Sequence, residues 1–141
     1  MSNSYIVRYG IMRQIGEFSG RPDTEYPRSQ DVLVRSDRGI EWGEVLSPAT
    51  EATRSYLGSS KSTGRILRLA RDEDFKSRDE LQFKERSEFE DCTRMIAESK
   101  LQMQLVDVEH IFGGERIVFY YLAEKRVDFR DLVKSLAKEL K

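Results

Sequence analysis

One stretch, from about Asp72 to Leu101, leaves the chain little choice of architecture. Its first half is dense in charge, with Asp74–Arg78 and Glu80–Lys84 at i,i+4 spacing, which supports a solvated helix. Its second half carries Phe89, Cys92 and Ile96 on one stripe, the spacing of a core-facing helix. One long helix is therefore expected, beginning as a charged arm and ending buried. It separates a β-rich first half from a strand-rich hairpin and a last helix, so the class is α+β.

Ahead of the helix, Tyr5–Tyr9, Ile15–Phe18, Asp31–Arg35 and Ile40–Leu46 read as short strands, and Ser36-Asp37-Arg38-Gly39 suits a tight hairpin turn. In the last of these strands Ile40, Trp42 and Glu44 share one face, and Glu41, Gly43 and Val45 the other. Residues 1–46 are expected to form a small antiparallel β-sheet or half-barrel. Residues 47–64 are small and polar without periodicity, which predicts a flexible loop or linker. Residues 65–141 follow as a second domain in the order strand, helix, strand, strand, helix. That order predicts a split βαββα unit, ferredoxin-like with its last strand missing. Such a unit leaves Arg65–Ala70 with an open edge, to be covered by the N-terminal sheet or by a second copy in a homodimer.

In the hairpin, Val106, Val108, His110 and Phe112 alternate onto one face, and Leu105, Asp107, Glu109 and Ile111 onto the other. A two-residue Gly113-Gly114 turn would pair Phe112 with Glu115, His110 with Ile117, Val108 with Phe119 and Val106 with Tyr121. For the last helix Asp128 is the expected N-cap, with Asp131 at N3. Phe129, Leu132, Val133, Leu136, Ala137 and Leu140 trace its apolar face.

Composition narrows the function classes. The 141 residues carry a formal charge of −1, against the strongly basic balance usual for domains that bind polyanions by bulk charge. Cys92 is the single cysteine, so neither a disulfide nor a cysteine-based zinc or iron–sulfur site is expected. The longest apolar runs fall well short of a membrane span, and the N-terminus lacks a signal-peptide pattern, so a cytoplasmic location is expected.

No set of residues assembles a catalytic site, and no enzyme activity, metal or cofactor is expected. His110 lacks a nucleophile and an orienting partner in the pattern, and a structural histidine is expected. Cys92 sits mid-helix, where a thiol behaves as a small hydrophobe. Gly58–Gly64 does not have the spacing of a phosphate-binding loop. Asp107 and Glu109 lie about 7 Å apart along one strand and read as a solvated face that binds a protein partner. Tyr5, Arg8, Tyr9, Arg13, Arg65 and Arg68 mix basic and aromatic character, the alternative pattern for single-stranded RNA or DNA.

Leu105–Glu109, Val118–Tyr121 and Arg126-Val127-Asp128-Phe129-Arg130-Asp131-Leu132-Val133 together resemble the PSP-type C-terminal domain family. The likeness runs from Gly64 to the last residue. Arg38–Val45 is similar to the family's bacterial YaaT/RicT-like branch. The resemblance implies a regulatory subunit or adaptor in a protein complex, associated with messenger-RNA processing by an endoribonuclease (RNase Y). It also implies a link to developmental phosphorelays, and in some relatives to RNA. Longer bacterial members are expected to continue into a strand and a cysteine-bearing region that holds an iron–sulfur cluster. With Cys92 alone, no cluster is carried over. Arg126, Asp128 and Arg130 join Asp107 and Glu109 as candidate interaction residues.

Overall fold

The structure, a computed structural model, describes residues 3–58 and 63–139. In chain order these form β1 (Ser4–Tyr9), β2 (Gln14–Ser19), β3 (Asp31–Ser36), β4 (Gly39–Pro48), α1 (Glu51–Leu57) and β5 (Gly64–Leu69). They are followed by α2 (Asp72–Glu98), β6 (Gln104–His110), β7 (Ile117–Leu122) and α3 (Arg130–Glu139). The class is α+β. The chain divides into two compact units, Met1–Ser77 with Ile111–Arg116, and Arg78–His110 with Ile117–Lys141.

The first unit is a closed five-stranded barrel in the order β1-β2-β5-β3-β4, sealed where β1 pairs with β4. β4 is ten residues long, and that length lets it serve two partners, Gly39–Glu44 on β3 and Gly43–Pro48 on β1. Alternate residues fill the interior: Val7, Phe18, Val32, Val34 and Val45 are fully covered, and Ile66 nearly so. Closure removes the free edges that a half-barrel would present.

One expectation is corrected by the sheet order. β5 does not join β6 and β7 in a split βαββα sheet; it lies parallel to β2 and antiparallel to β3. The edge at Arg65–Ala70 is therefore covered on both sides by the barrel, the first of the two coverings expected for it. Closing this seam needs a glycine. A Cβ at position 64 would come within 1.9 Å of the Arg35 carbonyl oxygen, so only Gly64 lets the two strands approach. Apolar β5 satisfies a sheet in either place, and the sequence pattern alone does not say which.

The expected linker also carries more structure than its composition suggested. β4 runs to Pro48, and α1 follows. Thr50 and Thr53 bond each other's backbone N–H groups as a capping box, and Gly58 closes the helix in the left-handed region. α1 buries no side chain, so it leaves no apolar period to read. Residues 59–62 of that segment, and Leu140 of the last helix, lie outside the described residues.

α2 starts where expected. Asp74 accepts from the Arg71 N–H at 2.8 Å, the returning half of a capping box, and forms a two-point ion pair with Arg68. Asp72, Glu73 and Asp74 also suit the positive end of the helix dipole. On the outer side of β4, Trp42 meets Phe75 and Phe112 edge to face, at ring-centre distances of 4.9 and 5.5 Å. The second unit packs Cys92, Met95 and Ile96 of α2 with Leu105, Val108, Leu132 and Leu136.

The Arg68 guanidinium, helped by the Arg71 N–H, holds the Asp74 carboxyl below its ordinary value of 3.8 against the opposing effect of burial. A depressed carboxyl stabilises the fold at neutral pH, and the contribution fades as acid protonates it. Asp74→Asn should therefore melt below the parent at pH 7, with the gap narrowing as pH falls below about 3.8. Melting curves across pH 7 to 2 check this; a gap that stays constant would contradict it.

Candidate functional site

β6 is shaped by a bulge. The register runs His110–Ile117, Glu109–Val118, Val108–Phe119 and Asp107–Tyr120, then skips Val106 so that Leu105 meets Tyr121. The upper pairs match the expected register, and the expected Val106–Tyr121 pair is corrected. The extra residue turns Leu105 and Val108 both inward and leaves Val106 half exposed. The turn is also longer than two residues. Gly114 N–H bonds to Ile111, Ile111 N–H bonds to Arg116, and Gly114 carries the positive φ of +80°.

α2 ends in a Schellman motif, with Lys100 in the left-handed region and the Leu101 N–H bonded back to Ile96. Its inward stripe extends N-terminally from Ile96, Cys92 and Phe89 to Glu88 and Glu85. Both carboxylates are committed to β6. His110 Nε2 lies 2.7 and 2.9 Å from the two oxygens of Glu88, and the His110 backbone N–H donates to Glu85 at 2.5 Å. The His110 and Glu88 side chains are only 7% and 9% exposed. Burial pushes the Glu85 carboxyl up, the His110 N–H and ring oppose that, and Glu109 and Asp107 add to it.

The histidine thus has the carboxylate partners that the sequence pattern had not supplied, and they come from the helix. The readable signal was the period: Glu85 continues the Phe89, Cys92, Ile96 stripe, and an acid on a core stripe needs a partner. Among the described residues no three His, Cys, Asp or Glu side chains are placed to hold a metal ion. Cys92 is covered, and burial raises its thiol.

The sheet face expected to be solvated divides. Glu109 is buried and accepts from the Tyr120 hydroxyl at 2.7 Å, so it is unavailable as an exposed contact. Asp107 is exposed and takes the Val108 N–H at 2.9 Å. Beside it, an open cleft of about 410 Å³ runs between α2 and β6, lined by Gln82, Glu85, Arg86, Phe89, Glu90, Asp107 and Val108. Its floor is apolar and its rim mainly acidic.

Arg126, Asp128 and Arg130 line a different depression, in the segment Tyr121–Arg130. Asp128 pairs with the Arg130 side chain at 2.7 Å and accepts its backbone N–H at 3.2 Å. The helix proper begins at Arg130, one turn position later than Asp128 as N-cap implied, yet the carboxylate still satisfies an N-terminal donor. Those Arg130 bonds hold its carboxyl low.

The six residues of the nucleic-acid alternative do not converge. Tyr5 is buried against Tyr26 and offers no stacking face, and half-buried Tyr9 packs at 83° to the Phe18 ring. Arg8 is paired with Glu44 and Arg68 with Asp74. Arg13, in the β1–β2 turn, and Arg65, on β5, remain exposed.

Residues 64–141 match the family model described as the PSP1 C-terminal conserved region. The chain is also 34% identical over 110 residues to Stage 0 sporulation protein YaaT of Bacillus subtilis, a match covering 78% of this chain and 39% of YaaT. Against Protein PSP1 of Saccharomyces cerevisiae the identity is 43% over 42 residues, 30% of this chain and 5% of that protein. The chain spans well under half the length of these relatives. No solved structure matches.

His110→Ala strands the Glu88 carboxylate in a covered site and should cost about 2–4 kcal/mol. The double variant His110→Ala/Glu88→Leu should recover part of that loss. Urea denaturation measures both, and a single variant within about 0.5 kcal/mol of the parent would contradict the pairing.

Proposed function

This chain belongs to the PSP1 C-terminal family, and on that premise we propose that it is a non-catalytic regulatory module that acts by binding a protein partner. The observation that carries this reading is how unit two uses its reactive groups. His110 and Glu88 are covered and paired with each other, and Glu109 is covered and takes the Tyr120 hydroxyl, so none of the three is presented to a substrate. What remains at the surface is relief: the α2–β6 cleft, its acidic rim, and the half-exposed Val106 thrown outward by the bulge.

A shaped, mixed polar and apolar surface fits a protein contact better than chemistry. The finer assignment is an adaptor in a cytoplasmic complex that tunes messenger-RNA processing, in the manner of an endoribonuclease (RNase Y) regulator. Its support is the likeness to YaaT, whose name marks a sporulation protein. Asp107 and Glu90 are the rim carboxylates a partner meets first; Arg126 and Arg130 contribute a second contact.

Quantitative affinity capture from the native cell tests the reading, with RNase-treated and untreated samples compared. The expected result is one defined set of proteins that survives RNase and falls away with Glu90→Lys/Asp107→Lys. Both side chains are exposed, and Asp107 gives up only its bond from the Val108 N–H, so a melting curve on the variant separates a lost contact from lost folding. Capture that vanishes with RNase would replace protein contact by RNA binding, and capture indifferent to both lysines would move the contact off this cleft.

A further inference from the structure

On the outer wall of the barrel, we propose that Arg35 and Arg65 form a binding site for a small phosphate monoester. The two residues are register partners across β3 and β5. Their neighbours Val34 and Ile66 point into the core, so both guanidiniums leave on the outer face, and both residues are exposed. Like charges placed directly opposite on adjacent strands repel. Gly64 draws the backbones together at this point, because the Arg35 carbonyl oxygen occupies the space a Cβ there would need.

The first unit neutralises four other arginines in place, on strands, in a turn and on α1. Arg8 meets Glu44, Arg38 meets Glu41, Arg54 meets Glu17 and Arg68 meets Asp74. Among the described residues no such pair is made by Arg35 or Arg65. Across β4 the register partner of Arg35 is Ile40, whose N–H lies 3.2 Å from the carboxylate of Glu115 in the β6–β7 turn. On the other side, Ser19 is the register partner of Arg65, and its hydroxyl rests on the Gly64 carbonyl at 3.4 Å, a long bond that is easily exchanged.

Two adjacent guanidinium forks and one hydroxyl present donors to several oxygens of one tetrahedral anion. Charge selects among anions. Two fixed positive charges match a phosphate monoester, which carries about −1.5 to −2 at neutral pH. A carboxylate or a phosphodiester, with one charge, leaves half the repulsion in place.

The intact protein is titrated with inorganic phosphate, phenyl phosphate, dimethyl phosphate and a phosphoserine peptide at constant ionic strength, following the arginine Nε–Hε resonances. Phosphate and phenyl phosphate should shift Arg35 and Arg65 saturably, and dimethyl phosphate should not. The peptide should bind no more tightly than phenyl phosphate. Arg35→Gln and Arg65→Gln should each lose about tenfold or more in phosphate affinity. In phosphate-free buffer each should melt no lower than the parent, because repulsion is relieved. A merely structural pair would instead melt lower. No saturable shift, unchanged affinity in both variants, or lower melting would overturn the site. Equal binding of the diester would overturn the monoester assignment, and a peptide bound tenfold more tightly would overturn the small ligand.

Discussion

The seam between β5 and its two neighbours carries the architecture of the first unit. β2 and β3 are joined by a long connection and do not pair with each other; each finds its missing partner in β5. Without that strand the N-terminal residues form a sheet with two raw edges and an interior open on one side. With it, Ile66 caps a core in which Val7, Phe18, Val32, Val34 and Val45 are removed from water. The closing strand arrives from beyond α1, and Gly64 provides the close approach that admits it. Burial of this kind is the dominant favourable term in folding, and the seam completes it.

That geometry changes what the family region means as a physical object. The matched residues begin at Gly64, the first residue of β5. They therefore start inside the barrel wall, and α2 begins in the same unit before its later residues enter the other. A boundary drawn from similarity alone cuts a hydrogen-bonded ladder. The proposed protein-contact cleft depends on the later part of α2 and on the bulged β6, whereas the Arg35–Arg65 pair depends on the seam itself.

Much of this was legible in the sequence where a local rule and the tertiary environment agree. The β3–β4 hairpin followed from Ser36–Gly39 and the alternation of Ile40–Val45. The long helix followed from its charge spacing and the Phe89, Cys92, Ile96 stripe. The register at His110–Ile117 and Val108–Phe119 followed from the strand pattern. The misreadings each have a physical cause. A bulge at Val106 inverts inward and outward for the residues before it and leaves no mark in an alternating apolar run. α1 is capped by side chains but buries none. β5 is apolar enough for any sheet, and its partner is chosen by non-local closure. The candidate site was legible in part: Asp107 stands at the cleft, while Glu109 is consumed by Tyr120 and the His110 partners lie on a distant helix. The basic and aromatic N-terminal set dissolved because alternation sends Tyr5 inward and carboxylates close Arg8 and Arg68.

Native-state amide exchange across a denaturant series addresses the β5 seam most directly. The slowest β5 amides, around Ile66, are expected to open in the same cooperative step as those of β2 and β3, with a common free energy and denaturant dependence. If β5 amides instead exchange in concert with β6 and β7, or freely at all denaturant concentrations, the barrel is not closed by this strand and the architecture described here is wrong.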